Sequence, residues 1–284
     1  MREKRCFAGG KNGGALRGLA VTCAVIAGSL TAGPSLAAQC GNSAAGFSAW
    51  LEDFKVEVRR AGIKKQVANS ALKGITYHKR VISLDRGQKS FKLSFDQFYA
   101  KRVNNAMIKK GRQLIRQNAG LFRSIEKRYG VPAPVLVAIW GLETGYGRNS
   151  GNMSVIRSLA TLAYDCRRSD FFTNELVSAL AIVQRGDMTP AQMRGAWAGE
   201  IGQTQFLASS YMRYAVDFDG DGRRDLVRSV PDVLGSTANY LKAYGWRRGA
   251  PWGPGTANYK VIGKWNKASV YVKTISVMAD KLSR

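Results

Sequence analysis

The chain is poor in the residues most enzymes use for nucleophilic or metal chemistry: one histidine, four cysteines and 19 acidic residues stand against 44 basic ones in 284. A Ser-His or Cys-His pair has only His78 to draw on, in the basic stretch Tyr77-His78-Lys79-Arg80, where a surface or hydrogen-bonded role is the simpler reading. A zinc site lacks ligands, no glycine-rich loop is built to cradle phosphate, and there is no internal repeat or low-complexity segment. Nor does any uninterrupted apolar run reach the roughly 20 residues that span a bilayer. What remains is a basic, carboxylate-poor chain in which each well-placed acid is conspicuous.

The N-terminus reads as an address. Arg2, Lys4, Arg5, Lys11 and Arg17 precede an apolar stretch from Leu19 to Leu30, and Ser35-Leu36-Ala37-Ala38 closes it with small residues. That order describes a cleavable secretory signal over 1–38, leaving 39–284 as the working domain. Gly28, Gly33 and Pro34 weaken a membrane anchor, and Gln39 stands where a lipoprotein signal before Cys40 needs a small residue. The expectation is a periplasmic or otherwise exported protein without stable membrane insertion. Residues 1–38 carry five basic and one acidic residue, so the rest keeps a net charge of about +21. Such a field calls for a polyanionic partner; for an exported protein, a cell-wall polymer with free peptide carboxylates fits better than nucleic acid. Cys6 and Cys23 leave with the signal, and in an oxidising compartment Cys40 and Cys166 pair most simply as one disulfide.

Apolar spacing predicts a mostly helical chain. Phe47, Trp50, Leu51, Phe54 and Val58, then Ile63, Val67 and Leu72, recur at three and four over 44–73. The period loosens to extended pieces at 76–95 and returns from Phe95 to about Arg128, with an interruption near Asn118-Ala119-Gly120. Tyr129-Gly130-Val131-Pro132 is a break, and 133–144 is a helix apolar nearly all round, hence central and buried. Further helices are expected at 155–164, 169–185, 190–196 and 231–245, and a Gly- and Pro-rich loop from Gly249 to Gly263.

Three features carry chemistry. Glu143 is a carboxylate at the end of the apolar helix, before Thr144-Gly145-Tyr146-Gly147; partial desolvation there raises its hold on a proton and suits it to act as an acid. The alternative is a helix-end glutamate exposed to solvent or paired with an arginine such as Arg148. Asp217-Phe-Asp219-Gly-Asp221-Gly222-Arg223 matches the first half of an EF-hand calcium loop, with Gly222 at the sharp turn and the Arg223 carbonyl at position seven. Position twelve is Arg228 rather than glutamate, and Asp232 closes the shell if the loop is longer. Gly199-Glu-Ile-Gly-Gln-Thr-Gln-Phe206, with Ser209-Ser-Tyr211, suits a groove wall that hydrogen-bonds sugars; Glu200 is either a second acid or a surface residue.

Taken in order, Tyr129-Gly-Val-Pro132, Gly141-Leu-Glu143-Thr-Gly-Tyr-Gly147, Leu159-Ala-Thr-Leu162, Gly199–Phe206, Val216–Gly222 and Ala238-Asn-Tyr-Leu241 resemble the membrane-bound lytic murein transglycosylase B family over about 44–282. The resemblance implies a mainly α (α+β) protein with a lysozyme-like catalytic core and an additional helical subdomain. It also implies a monomer acting on peptidoglycan glycan strands, cutting the N-acetylmuramic acid–β-1,4-N-acetylglucosamine bond without water. Glu143 would be its single acid/base. By the same resemblance Gln205, Tyr240, Trp265, Asn266, Tyr271 and Tyr146 belong to the sugar groove, and Arg167, Arg168 and Phe171 to the peptide stem. Asp217, Asp219, Asp221, Arg223 and Asp232 would hold a structural Ca2+ that the chemistry does not require. Ala196 stands where a serine can approach the catalytic glutamate, which leaves the hydrogen-bond partner of Glu143 open.

Overall fold

In a computed structural model, residues 39–87 and 93–284 are described; the expected secretory signal lies outside the described residues. Thirteen helices and one two-stranded sheet make up the described part. Six helices lead to the central one: α1 (Phe47–Arg60), α2 (Lys65–Leu72), α3 (Lys79–Arg86), α4 (Phe95–Arg102), α5 (Asn105–Gln117) and α6 (Ala119–Tyr129). The central helix is α7 (Ala133–Thr144), followed by α8 (Val155–Tyr164), α9 (Ser169–Arg185), α10 (Ala208–Tyr214), α11 (Val230–Ala243), α12 (Ala257–Trp265) and α13 (Ser269–Leu282). Strand β1 (Met153–Ser154) pairs antiparallel with β2 (Arg194–Gly195), Met153 opposite Gly195 and Ser154 opposite Arg194.

The apolar run at 133–144 does what its composition requires. Every residue of α7 except Pro134 and Glu143 is buried, with α5, α6, α11 and α13 packed around it. Pro134 sits in its first turn, where a missing N–H costs nothing. Gly145 ends it in the left-handed region (φ 60°) and donates its amide to the Gly141 carbonyl at 2.9 Å. A second assembly forms around α8 and α9, with α1, α2 and α3 on α8 and α10 on α9. The Cys40–Cys166 disulfide, its Cα atoms 5.0 Å apart, ties the start of the described chain to the end of α8, where the Gly41 amide also donates to the Tyr164 carbonyl at 2.8 Å. Among the described residues no helix is long and apolar enough to cross a membrane.

The helical spacing at 44–73 is carried by two helices, α1 and α2, parted at Gly62 (φ 88°). Three sequence expectations are corrected. The expected extended stretch at 76–95 contains α3, whose eight residues bury only Val81, Ile82 and Asp85, too few to print a period. The helix expected at 190–196 is a turn running into β2, because this backbone pairs with β1 and with Ile201 instead of with itself. The loop expected over Gly249–Gly263 gives way to α12 at Ala257, where the Thr256 hydroxyl caps the helix by accepting the Tyr259 amide at 3.2 Å.

Candidate active site

Glu143 lies one residue from the end of α7, where the helix leaves the core. The turn after it is rigid. Thr144 Oγ1 donates to the Gln203 carbonyl at 2.6 Å and accepts the Gly147 amide at 2.8 Å, while Trp140 Nε1 donates to Gln203 Oε1 at 2.9 Å. Gly147 is required: a Cβ there would meet Gln203 Oε1 at 2.4 Å, and its φ of 84° is left-handed. Gln203 in turn donates to the Leu226 and Val227 carbonyls at 2.9 and 3.0 Å, so the same residue ties the helix end to the acidic loop.

The Glu143 carboxyl is partly exposed and asymmetric. Its Oε1 accepts from Trp265 Nε1 at 2.9 Å and from the Tyr271 hydroxyl at 2.8 Å, whereas Oε2 carries no such bond. A cleft of about 530 Å³ opens beside it, lined among others by Ala196, Glu200, Gln205, Tyr240, Trp265 and Asn266. Burial pushes the Glu143 carboxyl above its ordinary value; the bonds from Trp265 and Tyr271 pull it down, Glu200 adds to the rise, and Arg102 opposes it, with the net effect upward. Burial and the Glu143 carboxyl together push the Tyr271 phenol well above its usual value, so it stays a donor. A carboxyl whose proton is held more tightly than usual, with one oxygen bound from behind and the other free, suits protonation of a leaving oxygen.

The residues expected in the sugar groove divide. Gln205, itself at φ 55°, lines the cleft and donates to the Ser150 and Gly202 carbonyls at 3.2 and 2.7 Å. Tyr240 and Trp265 meet edge to face at 4.9 Å, with Phe206 against both, and form an aromatic wall. Asn266 lines the cleft, and its Oδ1 accepts the Ala268 amide at 3.0 Å just ahead of α13. Tyr271 does not line the cleft; it is buried behind Glu143 with its ring on Phe98. Tyr146 also falls outside: its hydroxyl donates to the Met107 carbonyl at 2.8 Å and its ring braces Trp140, so it is a strut of the turn.

Arg167, Arg168 and Phe171 are not among the residues that line this cleft either. Both guanidinium groups are bound by the buried Asp85 carboxylate, and Arg168 lies over the Phe172 ring at 4.8 Å. Asp85 comes from α3, the helix the sequence reading left extended, so their commitment was invisible there. Phe171 is exposed against Phe172. His78 stands at the start of α3, its amide donating to Thr161 Oγ1 at 3.2 Å; burial, then Arg157 and Arg80, lower its pKa. Cleft residues that spacing did not flag include Trp197, Leu207, Lys264 and Lys267, whereas Ser210, expected in the groove wall, does line it.

Residues 46–257 match the transglycosylase SLT domain family. The chain belongs to it. Over 122 residues it is 43% identical to the membrane-bound lytic murein transglycosylase B of Escherichia coli (strain K12), a stretch that is 43% of this chain and 34% of that one; the match thus spans about a third of that relative. Among solved structures, SltB3 from Pseudomonas aeruginosa in complex with NAG-anhNAM-pentapeptide is similar at 33% identity and a TM-score of 0.79, over 86% of this chain and 80% of that one. Soluble lytic transglycosylase SltB1 from the same organism is 25% identical at a TM-score of 0.78, over 82% of this chain and 98% of that one. The resemblance carried by the ordered motifs, and the mainly helical, lysozyme-like fold it implied, are borne out.

The acidic loop is the second gathering of carboxylates. One carboxylate oxygen from each of Asp217, Asp219 and Asp232 lies within 4.8 Å of the others. Asp217 accepts the Gly220, Asp221 and Gly222 amides; although burial pushes its carboxyl up, these bonds hold it below the ordinary range. Asp232, from the first turn of α11, is buried and accepts the Phe218 and Asp225 amides, both at 2.7 Å. Burial raises the Asp232 carboxyl, those amides lower it, and Asp219 and Asp217 raise it again. Asp221 is not in the converging trio: its Oδ1 takes the Arg223 amide at 2.8 Å. The Arg228 amide donates to Asp225 Oδ1 at 2.9 Å, so position twelve sends no carboxylate inward and Asp232 occupies the inner side of the loop. Three hard oxygen donors brought together with no side-chain cation among them suit a calcium-sized ion.

Proposed function

We propose that the protein is a peptidoglycan lytic transglycosylase that cleaves the bond from N-acetylmuramic acid to N-acetylglucosamine and leaves 1,6-anhydro ends. The observation that carries this is Glu143: a carboxyl whose hold on its proton burial strengthens, bound at Oε1 by Trp265 and Tyr271, on a cleft walled by aromatic rings. Glu143 gives its proton to the glycosidic oxygen O4 as the C1–O4 bond breaks. The carboxylate so formed takes the proton of the muramic C6 hydroxyl, whose oxygen bonds to C1 and closes the anhydro ring. The proton count on Glu143 is restored and no water enters. Intramolecular attack supplies the proximity that an ordered water would otherwise need, so a second carboxylate is not obligatory, unlike in a hydrolysing glycosidase. Trp265 and Tyr271 stabilise the transient carboxylate, which eases proton departure.

The bound NAG-anhNAM-pentapeptide of SltB3, a relative at 33% identity, supports this choice of substrate and product. Export to the periplasm follows from the basic, apolar and small-residue order of 1–38. The loop Asp217–Asp232 would hold Ca2+ through Asp217, Asp219 and Asp232; the ion's part would be to brace the loop and, through Gln203, the turn after Glu143. Mass spectrometry of products from purified sacculi tests the reading. Anhydro-muropeptides are expected; products one water heavier would make the protein a hydrolysing muramidase, and no release at all a wall-binding protein.

A further inference from the structure

Glu200 is a second carboxyl in the cleft of Glu143, and the mechanism above leaves it unused. Its backbone is clamped. The Ala196 amide donates to the Glu200 carbonyl at 3.1 Å, Ile201 bridges both Gly195 and Phe206, and a Cβ on Gly195 would meet the Glu200 carbonyl oxygen at 1.9 Å. The side chain is therefore presented to the cleft by a tight, two-sided hairpin. Its Oε2 is buried without a hydrogen-bond partner, a costly arrangement for a carboxylate.

No ion pair among the described residues neutralises either carboxyl. Around Glu200, Arg168, just ahead of α9, is bound to Asp85, and Glu175 of α9 is spent on the Ser209 amide and hydroxyl at 2.9 and 2.6 Å. Around Glu143, Arg102 of α4 donates to the Leu142 carbonyl at 3.4 Å, and Tyr271 and Trp265 are neutral donors. Lys264 and Lys267 stand exposed at the cleft's rim.

We infer that Glu200 is a positioning residue for the catalytic proton: sharing the cleft with Glu143, it keeps that proton on Glu143 until the glycosidic bond breaks. This rests on the reading of Glu143 as the acid. Two carboxyls in one desolvated space do not ionise independently; the first proton leaves the pair more easily than the second. Burial holds both groups above the ordinary carboxylate range, and Glu200 adds to the rise on Glu143. Once Glu143 has given its proton to O4, the Glu200 carboxylate, the member of the pair that loses the first proton, makes it the stronger base toward the C6 hydroxyl, so one pairing serves both halves of the cycle.

Glu200→Gln removes the charge at constant shape. Its alkaline limb of kcat/KM on soluble glycan should move acidward by about one pH unit, with roughly tenfold less activity there and nearly full activity on the acid side. Glu200→Asp should keep the wild-type limb. An unmoved limb in a folded Glu200→Gln protein overturns the inference. Should that variant not fold, carboxyl ¹³C NMR of the wild-type protein decides: Glu143 and Glu200 should titrate in two linked steps, and two independent single-step curves overturn it. Glu143→Gln separates the readings, because undiminished lysis there removes the acid role of Glu143, whereas the NMR titration reports the pair whatever its activity.

Discussion

The two places where this basic chain gathers carboxylates handle charge in opposite ways. At the cleft, Glu143 is backed by side-chain donors in a desolvated pocket, and its carboxyl is driven toward the neutral form. In the loop, half-buried Asp217 is wrapped by three backbone amides, which favour its carboxylate form. Desolvation and amide donors are competing influences on the same functional group, and their balance decides whether the neutral or the ionised form is favoured. Asp232 stands between the two cases: it is buried like an active-site acid, yet both its oxygens take amides, so its work is structural.

The comparison breaks most visibly at Glu143. Glu143→Gln should lower the rate of lysis of purified sacculi on the order of 10³-fold, the worth of a positioned general acid; turnover at the wild-type rate would falsify its assignment. Asp232→Asn sets an NH2 group against one of the two inward amides and should cost about 3 kcal/mol by denaturant unfolding. Its kcat should stay within a factor of about three, as expected if the loop braces the fold without taking part in the chemistry. Tyr271→Phe removes one of two donors on Glu143 Oε1. About a tenfold fall in kcat is expected, with the alkaline limb of the pH profile moved upward, since that bond favours the carboxylate.

Smaller effects sharpen the contrast further. Chelation of divalent cations should lower the melting temperature by roughly 2–5 °C while leaving the product pattern alone; equal melting curves with chelator and with added calcium would remove the ion from the loop. The smallest effect concerns the stability of the acid itself. The folded-state value of Glu143 lies above its unfolded one, so both states are protonated at low pH and the difference vanishes. As pH rises past the unfolded value, near 4.3, the unfolded state sheds the proton first and stability falls. Glu143→Gln escapes that loss and should melt about 1–3 °C higher than wild type at pH 7, with no gain near pH 4.

Much of this was legible in the sequence because the signals were local. An apolar run with Pro at its start and Gly at its end can only be a buried helix, and α7 is one. Glu143 stood out because nothing else in that run is ionisable. The spacing of Asp217, Asp219 and Asp221 was equally plain, though the structure draws Asp217, Asp219 and Asp232 together and sets Asp221 aside. Short elements were not legible. Helix α3 has two turns and little apolar period, and the 190–196 segment forms a turn and strand because its partners lie at 153–154 and 201.

Composition and order alone determined a mostly helical, basic, carboxylate-poor chain, a greasy helix ending in one acid, an aspartate-rich turn and two cysteines available to pair. Periodicity and spacing follow from bonds along the backbone, so they can be read without a fold. Tertiary structure decided what each side chain meets. It gave Trp265 and Tyr271, more than 120 residues downstream, to one oxygen of Glu143. It committed Arg167 and Arg168 to Asp85 and set Glu200 in the same cleft as Glu143. Protonation depends on desolvation and on donors brought from distant segments, and neither quantity exists until the chain has packed.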